Sequence, residues 1–70
     1  MTRFSTVAFE RSHGKAPRGR GSWMFCPVDR WSSNDYLEAV FTAPPHSTLR
    51  EAKAAAAAHF PAGSELVVCP

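Results

Sequence analysis

Thr48-Leu-Arg-Glu51-Ala52-Lys-Ala-Ala-Ala56-Ala-Ala-His59 reads as a helix, and that reading decides the fold. Thr48 and Glu51 have the spacing of a capping box: the Thr48 hydroxyl accepts from the Glu51 amide, and the Glu51 carboxylate reaches back. Glu51 also sits at the positive end of the helix dipole. Ala52 and Ala54 to Ala58 supply very high helix propensity. Leu49, Ala52, Ala56 and His59 or Phe60 fall on one stripe, and a stripe of alanines lets a helix sit close on a sheet. Phe60-Pro61-Ala62-Gly63 stops the helix, and Glu65-Leu-Val-Val-Cys69 follows as a short strand.

Upstream, the pattern is that of strands. Arg3 to Phe9 holds Phe4, Thr6, Val7 and Phe9, which are β-branched or aromatic. Trp23 to Val28 alternates by face, Trp23 and Phe25 against Met24 and Cys26, with Pro27 limiting its far end. Ser32-Ser-Asn-Asp35 is a turn cluster. Tyr36 to Thr42 again alternates, with Leu37, Ala39 and Phe41 on one face. The predicted order is β-β-β-α-β: an α+β fold in which a three-stranded antiparallel meander carries one helix across it. The fourth, C-terminal strand is placed at an edge beside the first, reached by a right-handed crossover. Seventy residues make a single small domain over positions 1–70 with one layer-on-layer core.

Charge is distributed unevenly. The net charge is +2, but residues 1–30 carry six Lys and Arg against Glu10 and Asp29. Residues 31–70 carry Arg50 and Lys53 against four carboxylates. The cations concentrate in Arg11-Ser-His13-Gly-Lys15-Ala-Pro-Arg18-Gly-Arg20-Gly21, which contains no acid and leads into Ser22-Trp23. Read as the hairpin loop between the first two strands, this run is a phosphate clamp. Its glycines allow close approach, and its arginines offer forked donors. Arg11, His13, Lys15, Arg18 and Arg20 are the candidate nucleic-acid contacts, with Trp23 beside them to stack on a base. Four cations imply a log–log salt slope of about −3 to −4. DNA is favoured over RNA as the partner. The same loop also suits an acidic protein surface, as in a small protein-binding module or inhibitor. Trp31 and Tyr36 would be its anchors.

Other chemistries find less support in the residues. Gly14-Lys15 is followed by Ala16, so the run is not a P-loop. His13, Cys26, His46, His59 and Cys69 lack the spacing of a zinc site, and no cofactor is expected. No nucleophile elbow or paired carboxylates appear on one element, so the chain reads as a binding module rather than an enzyme. Cys26 and Cys69 read as buried or half-buried thiols of a reducing compartment. Met1 to Glu10 is too short and polar for a signal peptide, and no stretch has the apolar length of a membrane span. The expectation is a cytoplasmic accessory protein of phage or mobile-element origin.

Gly21-Ser-Trp23, Phe41-Thr42 and Glu51-Ala52, with the Ala-rich helix after them, are similar to the plant ethylene-response-factor type DNA-binding domain. They also resemble the arm-site-binding domain of phage integrases. The resemblance covers residues 3–60. It implies a three-stranded sheet that enters the major groove, with Arg11, Arg18, Arg20 and Trp23 as the contacting residues. In this sequence the basic charge stands in the loop, whereas those families carry it on the second strand.

Overall fold

The computed structural model describes residues 2–70. In chain order the elements are β1 (Arg3–Ser5), α1 (Val7–His13), β2 (Arg20–Gly21), β3 (Met24–Pro27) and α2 (Val28–Trp31). Then come α3 (Tyr36–Ala39), β4 (Phe41–Thr42), β5 (Ser47–Thr48), α4 (Leu49–His59) and β6 (Glu65–Val68). The fold is α+β. A mixed four-stranded sheet runs β1-β6-β3-β4, and a two-stranded ribbon pairs β2 with β5.

The helix forms as its residues dictate. The Thr48 hydroxyl accepts from the Glu51 amide at 3.1 Å, and the Thr48 amide donates to the Glu51 carboxylate at 2.9 Å. Ala52 and Ala56 are fully buried. Leu49 and Phe60 pack beside the same core, so the stripe faces the sheet as its spacing requires. Under the helix lie Phe25, Leu66 and Val68, each without exposed surface, joined by Trp23, Ala43 and the partly buried Phe4 and Phe41.

The meander is not formed. β6 lies between β1 and β3, parallel to β1 (Phe4↔Leu66) and antiparallel to β3 (Phe25↔Val68, Cys26↔Val67). The last strand does lie beside the first, but it is central rather than at the edge. Leu66, Val67 and Val68 are all buried, so both faces of β6 are covered. An uninterrupted apolar run is what a strand covered on both faces needs.

Two expected strands are partly helical. Val7 to Phe9 belongs to α1, not to a strand extending from Arg3 to Phe9. Phe9 and His13, four apart, stack with ring centres 4.1 Å apart. Gly14 closes the helix in the left-handed region (φ 73°), its amide bonding the Glu10 carbonyl at 2.8 Å. A glycine at this position accepts that conformation without a Cβ clash. Tyr36 to Ala39 is the single turn α3, and only Phe41–Thr42 pairs with β3. Leu37 is 71% exposed and so belongs to no core face.

The capping box carries the first prediction. Thr48→Ala removes a side-chain cap, which costs about 1 kcal/mol. In a domain of this size that lowers the melting temperature by about 4–8 °C, readable by circular dichroism. The Thr48 amide, and after it the Thr48 hydroxyl, hold the Glu51 carboxyl below its ordinary range. Glu51 therefore contributes stability above about pH 4.3 and loses it as pH falls through its lower folded value.

Candidate nucleic-acid interface

The basic run is not a hairpin tip, because β1 and β3 do not pair. It divides into three parts. Arg11 and His13 lie on the last turn of α1, and His13 is held against Phe9. Gly14 to Gly19 form an exposed loop, with Lys15 and Arg18 in solvent and Pro17 buried as its anchor. Arg20 and Gly21 are β2, in register with Thr48 and Ser47 at the start of α4. The Leu49 amide adds a bond to the Gly19 carbonyl at 3.2 Å, tying the loop's end to the helix.

That pairing gives Arg20 contacts that the other cations lack. Its Nη1 donates to the His46 carbonyl at 3.1 Å and lies 3.5 Å from the Glu51 carboxylate. Arg20 thus supports the β5–α4 junction. Trp23 is also structural, which corrects its expected role as a base-stacking residue. It is 6% exposed, packs 5.7 Å from Phe9, and its indole N–H donates to the Ser47 carbonyl at 3.0 Å. A ring enclosed by core on its faces has none to offer a base.

Arg11, His13, Lys15 and Arg18 remain exposed. The ion pairs among the described residues are Arg20–Glu51 and Arg30–Asp35, so none of these four groups is neutralised by a carboxylate. A groove of about 250 Å³ opens beside them, lined by Phe9, His13, Arg18, Arg20, Trp23 and Met24 among others. No acidic side chain lines it. The guanidinium groups of Arg18 and Arg20 stand on its wall beside the apolar Phe9, Trp23 and Met24.

A second groove of about 250 Å³ adjoins the first and shares Met24, Cys69 and Pro70 with it. Trp31 and Tyr36 line it, with ring centres 5.5 Å apart and planes at 73°, together with Leu37 and Val40. The turn that joins α2 to α3 sets those rings. Ser33 donates to the Asp35 carboxylate, and Arg30 pairs with it. The Ser33 bond, with Arg30 adding to it, holds Asp35 below the usual carboxylate range. The structure brings Trp31 and Tyr36 together at this groove. Leu37 and Val40 are assigned to sheet faces by the strand reading of Tyr36–Thr42, and Met24 by that of Trp23–Val28, so the sequence does not place them here. The available signal was Asp35-Tyr-Leu-Glu38, a helix-start pattern. A third, shallow groove of about 220 Å³ runs along β1, where Arg3 and Glu65 offset each other.

Cys26, on β3, is buried and Cys69, just past the end of β6, is half-buried; both are free thiols. Burial, and then the nearby Cys26, push the Cys69 thiol up to about 11 from an ordinary 9.0. Burial likewise raises Cys26. At neutral pH that leaves Cys69 with about a hundredfold less thiolate, partly offset by greater nucleophilicity, so labelling slows about tenfold. The check is the rate of modification by an aromatic disulfide reagent, native against denatured. Cys69 should react about tenfold more slowly in the fold and accelerate as pH rises toward 11.

Among the described residues, no group of three or more His, Cys, Asp and Glu is gathered as a metal site. No helix among them is long and apolar enough to cross a membrane. The chain matches none of the protein-family models, curated proteins or solved structures with which it was compared.

Proposed function

We propose that this chain is a nucleic-acid-binding module in which Arg11, His13, Lys15 and Arg18 contact the phosphate backbone. The observation that carries the reading is a cluster of exposed cations, Arg11, Lys15 and Arg18, that form no ion pair among the described residues, with Arg18 and His13 on the wall of a groove lined by no acidic side chain. Surface cations of a small protein are ordinarily interspersed with acids, which limits any single-sign field. Glu10, the acid nearest in sequence, accepts from the Thr6 hydroxyl, and Glu51 is engaged with Thr48 and Arg20. Phosphate contacts of this kind fix position on a strand and carry little sequence information.

Since Glu51 pairs with Arg20, the permanent cations of the run 11–21 without an ion pair among the described residues number three rather than four. The log–log salt slope for single-stranded DNA is then about −2, since each neutralised phosphate contributes about −0.7. The test is binding of a labelled oligo(dT) of about twelve nucleotides, followed by fluorescence anisotropy at several salt concentrations. Binding weakened about 15-fold between about 50 and 200 mM salt supports the reading. Binding that ignores salt rules it out.

A further inference from the structure

We infer that the Trp31–Tyr36 groove receives an unpaired base, so that this module prefers single-stranded nucleic acid to duplex. The inference rests on the phosphate-binding role of the adjoining arm and adds to it the form of nucleic acid recognised.

Three observations support it. First, the two grooves lie side by side, sharing Met24, Cys69 and Pro70 in their linings. A ligand lying across both meets cations on one side and aromatic rings on the other. A single-stranded polynucleotide has that bipartite chemistry at every residue, phosphate beside a flat ring. Second, the groove carries aromatic surface. Trp31 and Tyr36 pack edge-to-face, with ring centres 5.5 Å apart and planes at 73°, and a base would stack on a ring face outside that contact. Offset and edge-to-face arrangements are the favoured geometries for aromatic pairs. Third, the groove is small. At about 250 Å³ it falls below the range of drug-sized sites, which suits one ring system rather than a peptide helix.

The groove's lining holds no charged side chain. Arg30 neutralises Asp35, and Glu38, exposed on α3, is not among the lining residues. Leu37, 71% exposed at the rim, is apolar surface that a stacked base would cover. In duplex DNA each base is already stacked and paired, so only the phosphate arm would be engaged.

The experiment compares three ligands of equal length with the intact protein at about 50 mM salt: oligo(dT), the same backbone with abasic sugars, and a duplex. Stacking is worth about 1–3 kcal/mol per base, so the abasic strand should bind at least about fivefold more weakly than oligo(dT). Oligo(dT) alone should quench tryptophan fluorescence, and the Trp31→Phe variant assigns that quench without removing the ring. Leu37→Ala, at an exposed position, should weaken oligo(dT) binding while leaving abasic binding unchanged. Equal affinity for oligo(dT) and the abasic strand overturns the inference and leaves the phosphate arm standing. Failure of all three ligands to bind overturns both readings and turns the two grooves toward an acidic protein segment with an apolar anchor.

Discussion

Replacing Phe25 by alanine should remove much or all of this chain's stability, whereas replacing Leu37 by alanine should leave its stability unchanged. Phe25 has no exposed surface, pairs across strands with Phe41 and Val68, and meets Phe4 edge-on at 5.5 Å. Removing a buried phenyl ring costs about 3–5 kcal/mol, since the lost transfer energy adds to the cavity left behind. A domain of this length has a total stability of roughly 3.5–10 kcal/mol, so that loss removes much or all of it. Leu37, at 71% exposure, contributes nothing comparable, and surface changes stay within about 0.5 kcal/mol. Urea unfolding followed by far-UV circular dichroism measures both. The contrast separates the observed topology from a meander, in which Leu37 and Phe41 would share one buried face. A large loss in Leu37→Ala would contradict the placement of Tyr36–Ala39 as an exposed turn of helix.

The second large effect concerns binding. Changing Arg11, Lys15 and Arg18 together to glutamate should abolish nucleic-acid binding without unfolding the protein. All three side chains are exposed, and none belongs to an ion pair among the described residues. Each charge-assisted bond to phosphate is worth about 1.5–3 kcal/mol, less when solvent screens it. Removing all three cations and putting anions in their place should weaken binding at least about a hundredfold. Arg20→Ala should behave differently. Arg20 bonds the His46 carbonyl and pairs with Glu51, so its loss costs up to about 1 kcal/mol of stability and little affinity. If Arg20→Ala instead abolished binding while the triple variant bound normally, the assignment of these four cations would be inverted.

What could be read from residues alone was what local forces decide. Thr48-x-x-Glu51, the alanine run and Pro61 define α4 through interactions within a few residues, so its bounds and its buried stripe were legible. The alternation of Trp23 to Val28 likewise marked β3. Strand order was not legible, because β6 is placed by partners more than thirty residues away in sequence. The run Leu66-Val67-Val68 pointed to burial on both faces, but nothing local said which strands would flank it. Val7–His13 carries β-branched and aromatic residues whose propensity favours a strand. The contrary signal was the Phe9–His13 spacing and the glycine after it.

The candidate site divides along the same line. Arg11, His13, Lys15 and Arg18 were identifiable because exposure and the absence of acids can be read from composition. Arg20 and Trp23 were assigned to the same cluster by adjacency in sequence, yet a short ribbon with Ser47–Thr48 draws both into structural duty. The ribbon takes the one cation with an acid within reach and leaves the other three unpaired. Trp31 and Tyr36, five residues apart, come together across a turn closed by backbone bonds from Ser33 to Arg30 and Tyr36 to Ser33 and by the Arg30–Asp35 pair.

The most direct test of the central claim is the salt dependence of oligo(dT) binding by the unmodified protein, set beside the Arg11, Lys15 and Arg18 triple variant. Three unpaired cations predict a log–log slope of about −2 for the wild type and no measurable binding for the variant. A slope near zero, or a variant that binds as the wild type does, would contradict the claim that this basic arm holds the phosphate backbone.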